Sequence, residues 1–178
     1  MTFRTISCET LLRARAFEVR RDQIAYPDGR QGAFDIVVHN GAVAMVPVAA
    51  NGDIVFVRQY RPATGKRLLE LPAGTLNKGE DPEACAQREL REEIGMAPGR
   101  LTKLAEFFLA PGYSTERMHI YLAQDLRPEI LPHDEDEDLE IETLSMQAAF
   151  AAFRTGEIEE AKTMLGMYLA REHLVKGA

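Results

Sequence analysis

Glu92 and Glu93 follow Glu89 by three and four residues, so on a helix the three carboxylates gather toward one face. Like charges at that spacing repel by roughly a few tenths of a kcal/mol per pair. They also lie toward the C-terminal end of the segment, where the helix dipole disfavours negative charge and where acids are ordinarily absent. Helix stability gains nothing from this placement. A divalent cation does, because Mg²⁺ takes up hard oxygen ligands crowded on a rigid element together with substrate phosphates and retained waters. The plain alternative is a solvated acidic face relieved by Arg88 and Arg91.

The element that carries these acids is well marked. Asp81 can cap the first turn, Pro82 suits the first helical position, and Gly95 suits a left-handed stop, which predicts a helix over about 82–94. Ala86, Leu90 and Ile94 recur every four residues and supply a stripe for packing on a sheet. Upstream, AVAMVPVA (42–49), the Asn51-Gly52 turn and DIVFVRQY (53–60) form the pattern of a hairpin, with an apolar density that implies burial on both faces. A brief strand is expected at 68–71, others at 104–109, 118–123 and 139–144. Two helices close the chain, one from Ser145 to near Gly156 and one over about 159–173. Residues 1–40 contain β-formers at 16–19 and 34–38 around an Asp28-Gly29 turn, too little chain for a core of their own. The order is that of an α/β protein, an α/β/α sandwich with a mixed sheet over 41–178, preceded by a small N-terminal antiparallel β segment.

The segment GTLNKGEDPEACAQRELREEIGM resembles the Nudix box. Gly74, Glu80, Arg88, Glu89, Leu90, Glu92, Glu93, Gly95 and Met96 fill every position that the box specifies. Nine matches at fixed spacing are far more specific than a lone glycine motif, so they outweigh the solvated-face reading. The resemblance implies that Glu89 and Glu93 are the main metal ligands, with Glu92 beside them and the backbone carbonyl of Ala73 completing the first site. It implies that Arg88 and Glu80 orient the glutamates, and that Gly74 and Gly79 let the loop turn back tightly onto the helix. The implied cofactor is Mg²⁺, with Mn²⁺ as a substitute, at two or three ions per site.

Outside the box, VRQYRPA, LLELPAG and APGYSTER are similar to the ADP-ribose pyrophosphatase branch, and Pro111, fifteen residues beyond Met96, sits where that branch has its characteristic proline. By this comparison Arg61 contacts the pyrophosphate and Glu116 the terminal ribose or the groups near it, with Gly112 in the same segment as a further substrate-binding residue. A guanidinium is a good bidentate partner for phosphate oxygens; for Glu116 the alternative is a solvated surface charge. The acidic run HDEDEDLEI resembles the loop that delivers a catalytic glutamate in this branch. Register suggests Glu135 as the base and Glu137 as an added metal ligand, with Asp134, Asp136 and Asp138 one or two positions away; if no loop acid is the base, Glu92 takes the role. The reaction implied is hydrolysis of ADP-ribose to AMP and ribose 5-phosphate. DEDLEIETL and the C-terminal segment FRTGEIEEAKTMLGMYLAREHL resemble GDP-mannose hydrolases equally well. A non-catalytic ligand-sensing module is the reading from another class, and the intact carboxylates argue against it.

A formal charge of −7 and a pI near 5.2 disfavour nucleic acid and anionic membrane as partners. No uninterrupted apolar segment marks a signal peptide or a membrane span, and Cys8 and Cys85 have neither disulfide nor zinc spacing. A cytoplasmic enzyme with a small-molecule nucleoside diphosphate derivative as substrate is the expectation. Residues 1–40 are expected to build the interface of a homodimer, with Phe17, Tyr26 and Phe34 available to stack on the base.

Overall fold

The computed structural model describes residues 2–132 and 138–175. Glu135 and Glu137, with Asp134 and Asp136, lie outside the described residues.

The chain opens with a three-stranded antiparallel sheet in the order β1 (Arg4–Arg13), β2 (Glu18–Ala25), β3 (Gln31–Val38). The turn between β2 and β3 carries Gly29 at φ +88°, as the Asp28-Gly29 pair predicts. Sequence patterning does not reveal β1. All ten of its residues are exposed, and register shifts at Thr5/Ser7 and Thr10/Leu12 interrupt the alternation by which a strand is recognised.

The body follows as β4 (Ala42–Pro47), β5 (Ile54–Arg61), β6 (Lys66–Glu70), β7 (Ala73–Thr75), α1 (Pro82–Glu93), β8 (Met96–Ala97), β9 (Arg100–Phe108), β10 (Arg117–Gln124), β11 (Arg127–Pro128), β12 (Leu139–Leu144), α2 (Met146–Thr155) and α3 (Ala161–Val175). A mixed sheet has the order β7-β4-β10-β9, with β4 and β10 parallel, and a second, antiparallel sheet has the order β12-β5-β6. β4 and β5 are therefore not the hairpin that their sequence suggests. The chain turns at Gly52, φ +85°, but the two strands share only the bridge Val48–Ile54 and then enter different sheets. Each is more fully buried as the inner strand of its own sheet than as half of one ribbon: all six residues of β4 and the first four of β5 are buried.

Alternate side chains of the inner strands feed two large cores, and Ala42, Ala44, Met118 and Ile120 form a smaller third cluster. Val43, Met45, Val55, Val57 and Tyr121 pack with Ala86 and Leu90 of α1 and with Ile94 just past its end; Val46, Ile54, Phe56 and Leu122 pack with Ala149 and Ala152 of α2 and Met167 and Ala170 of α3. The architecture is the expected α/β/α sandwich. Each fully buried side chain of this size contributes roughly 1.5–3 kcal/mol, so packing rather than helix propensity fixes α1 on the sheet. Ser145 caps α2 and Gly156 ends it at φ +79°. α3 starts two residues later than its sequence pattern suggests, because the Glu160 side chain accepts the backbone N–H groups of Lys162 and Thr163 and sets the start there. Among the described residues no helix is long and apolar enough to cross a membrane.

Candidate active site

α1 is held at its start by Asp81, whose carboxylate accepts from the Glu83 and Ala84 N–H groups at 3.0 and 3.1 Å, and is stopped by Gly95 at φ +67°. Its glutamate face meets β7, which pairs with β4 in the register Val43↔Gly74 and Ala44↔Ala73. There Glu93 Oε2 accepts the Ala73 N–H at 3.0 Å, which fixes the peptide beside the carbonyl assigned to the metal. Glu89 lies directly on Gly74: a Cβ at that glycine would stand 1.8 Å from Glu89 Cδ. Gly74 is thus required by close approach and not by a turn. The left-handed turn belongs to Gly79, φ +79°.

Glu89 and Glu93 are 7% and 3% exposed, so two of the three acids are not on a solvated face. Glu92 is more open and borders the cleft. Arg88 ties the group together. Its Nη1 donates to Glu89 Oε1 and Glu92 Oε2, each at 2.7 Å, and its Nε and Nη2 donate to the two oxygens of Glu80 at 3.0 and 3.1 Å. The hydrogen bonds from Arg88 outweigh burial and hold the Glu80 carboxyl below the usual range, with the Asn77 N–H assisting; the same pairing raises the Arg88 guanidinium. Arg91 serves none of these acids, donating instead to Glu129 and to the Gln87 carbonyl. Burial, reinforced by the Glu89 charge, pushes the Cys85 thiol up to about 12, so it acts as core packing beside the site.

A cleft of about 540 Å³ opens over this platform, a volume suited to a nucleotide-sized ligand. Glu89, Glu92 and Arg88 form one wall, residues 73–77 the floor, and Arg61 with Arg15 also line it. Arg61, expected from the sequence to meet the pyrophosphate, lines the cleft and has an unforeseen partner. Its Nε and Nη2 donate to Glu70 at 2.9 and 2.8 Å. Gly112 and Glu116 are not in the lining. They sit on a segment docked against β3, where the Val37 N–H donates to the Tyr113 carbonyl at 2.8 Å and the Thr115 N–H to the Val37 carbonyl at 2.9 Å. Of the three candidate aromatics, Tyr26 and Phe34 are engaged at one end of β2, Tyr26 with its ring 5.2 Å from Phe3 and 6.4 Å from Phe34. Phe17 stands at the other end, next to the cleft-lining Ala16.

Sequence reasoning missed Arg15, Glu70 and Lys162. An acid inside the apolar run LLELPAG is a signal for Glu70, since a carboxylate in a buried strand requires partners. Arg15 and Lys162 have no local signature.

Among the described residues no group of three or more His, Cys, Asp or Glu side chains is gathered closely enough to hold an ion as it stands, and Arg88 Nη1 occupies the position between Glu89 and Glu92. The donor chemistry nevertheless fits a hard divalent cation. Two buried carboxylates converge on one short strand, and the space that a side chain at 74 would fill is left to Glu89.

The family model described as NUDIX domain matches residues 38–165. The chain is 40% identical over 168 residues to the ADP-ribose pyrophosphatase of Mycobacterium tuberculosis, covering 93% of this chain and 81% of the relative. It is 36% identical over 146 residues to the GDP-mannose pyrophosphatase of Shigella dysenteriae, with 76% of each chain covered. A crystal structure of an ADP compounds hydrolase superposes with a TM-score of 0.87 at 28% identity, covering 100% of this chain and 97% of the other.

Proposed function

This chain belongs to the NUDIX family, and on that premise we propose that it is a metal-dependent pyrophosphohydrolase that cleaves ADP-ribose to AMP and ribose 5-phosphate. The observation that carries the reading is the pair of buried carboxylates, Glu89 and Glu93, pressed onto Gly74 and Ala73 at the floor of the cleft.

Glu89, Glu93 and the Ala73 carbonyl are the groups suited to hold Mg²⁺, or Mn²⁺ in its place, with Glu137 as a further ligand and two or three ions per site. Bound metal supplies charge neutralisation on the diphosphate and a lowered pKa for the attacking water. The protein's part is positional and acid–base. Arg88 orients Glu89 and Glu92 through its shared Nη1 hydrogen bonds. Arg61 presents its guanidinium to the diphosphate from the cleft wall. The water's proton passes to a carboxylate, Glu135 of the acidic segment or Glu92 in the cleft, as the new P–O bond forms and the bridging P–O bond breaks.

Incubation with ADP-ribose and Mg²⁺ is expected to release AMP and ribose 5-phosphate, and EDTA to stop the reaction. The 36% identity to a GDP-mannose pyrophosphatase makes GDP-mannose the second substrate to include. Faster release of GMP than of AMP would transfer the assignment to that sugar nucleotide. Binding without turnover of any nucleoside diphosphate derivative would make the protein a sensor instead.

We also propose that residues 1–40 form a dimer interface. β1 is an edge strand exposed along its whole length, and Phe3, Ile6, Leu11 and Leu12 on and beside it remain 65%, 46%, 43% and 53% exposed. Light scattering at micromolar concentration is expected to give twice the 19.9 kDa chain mass, and a monomer would refute the interface.

A further inference from the structure

Glu70 ends β6 with 1% of its surface exposed, and it is not part of the cleft wall. A carboxylate buried to that degree costs several kcal/mol unless it is paired, and even a paired one is weak evidence for stability. Its partners show what it does instead. The fork of Arg61 closes on both of its oxygens, and Lys162 Nζ, itself on a residue only 9% exposed, donates to Oε2. Burial alone would raise the Glu70 carboxyl, but the Arg61 hydrogen bonds and the Lys162 ammonium outweigh it and hold it below the usual range. Lys162 Nζ also reaches Glu160 Oε2 at 3.1 Å, and Glu160 in turn accepts from the Thr163 N–H and hydroxyl. Thr163 Oγ1 accepts the Leu71 N–H at 2.9 Å, two residues before Ala73.

We propose that Glu70 and Lys162 are positioning residues for substrate binding: they fix the Arg61 guanidinium at the cleft so that it meets the diphosphate, and they make the first turn of α3 part of substrate recognition. This rests on the reading of the cleft as a diphosphate site. Glu70 sets the direction. Holding Nε and Nη2 leaves Nη1 as the end of the fork that no hydrogen bond among the described residues engages. Lys162 sets the charge. A carboxylate paired with Arg61 alone would cancel the field that the guanidinium offers to a phosphate; by sharing that carboxylate, Lys162 returns part of the positive charge to the cleft side. Counted with Arg61 itself, Glu70, Lys162 and Glu160 make a formally neutral cluster, one positive charge for each negative one.

The test is a double-mutant cycle read in KM and kcat. Glu70→Gln and Lys162→Met are each expected to raise KM for the diphosphate substrate about tenfold with kcat within about threefold, the signature of lost ground-state binding. In an Arg61→Ala background either change should add less than about twofold, because the group being positioned is gone. Lys162→Arg should restore most of the affinity. A merely structural role would lower kcat and stability together and would multiply with Arg61→Ala. KM within twofold of wild type in both single variants, or independent effects in the cycle, overturns the proposal. Should Glu70→Gln fail to fold, the Lys162→Met and Lys162→Arg pair decides alone. Absence of turnover in the wild type would sink the proposed function without touching this anchor, which is then judged by the same variants in calorimetric binding of inorganic pyrophosphate with Mg²⁺.

Discussion

Glu93→Gln is expected to lower kcat by roughly 10² or more at saturating Mg²⁺ while leaving the fold intact, since removal of one positioned electrostatic group typically costs that much. The exchange preserves volume and helix propensity, and the amide oxygen can still accept the Ala73 N–H that Glu93 Oε2 now takes at 3.0 Å. What disappears is a negative charge, 3% exposed, in the last turn of α1. That charge opposes the helix dipole and faces Glu89 one turn away, so without metal its removal should leave the melting temperature unchanged or higher. Loss of activity with no loss of stability is the pattern of a ligand. Circular dichroism melts in EDTA and steady-state rates in Mg²⁺ measure the two sides separately. Retention of more than about a tenth of the wild-type rate would remove Glu93 from the metal site.

How far the site could be read from the sequence follows the range of the interactions that build it. α1 depends on local chemistry: Asp81 and Pro82 at its start, Gly95 at its end, and Ala86, Leu90 and Ile94 at helical spacing, all of which the structure places as expected. The shared grip of Arg88 on Glu80, Glu89 and Glu92 is likewise internal to the box. The partition of β4 and β5 into separate sheets was not legible, because the same dense apolar run serves a buried hairpin and two inner strands, and only the partners β10 and β12 distinguish them. The pair of Glu70 and Lys162 spans 92 residues, and no periodicity in either segment points to the other. Gly74 was legible as a required glycine, yet its physical reason, that Glu89 fills the space a Cβ would take, exists only once β7 lies against α1.

That close approach makes Gly74→Ala the most informative single methyl group in the protein. The added Cβ would lie 1.8 Å from Glu89 Cδ, 1.9 Å from Oε1 and 2.4 Å from Cγ, all far inside contact distance. The colliding atoms are the far end of a side chain, so relief comes from displacing the carboxylate and not from breaking the β7–β4 pairing. Displacement is resisted by Arg88 Nη1, which holds Glu89 Oε1 at 2.7 Å, and by burial to 7% exposure. The variant should therefore fold with stability reduced by about 1–3 kcal/mol, the usual range for overpacking. Its turnover should fall by about 10², because a ligand moved by an ångström no longer meets the reacting geometry. Adding Glu89→Ala to Gly74→Ala removes the collision and should recover the melting temperature without recovering the rate. Gly79→Ala is the control: φ +79° strains an alanine by roughly 1–2 kcal/mol, but among the described residues nothing beyond its chain neighbours stands within 4 Å of its Cβ, so the rate should stay within about threefold of wild type. If Gly74→Ala keeps more than about a third of the wild-type rate, Glu89 tolerates displacement and cannot be a main ligand of the metal.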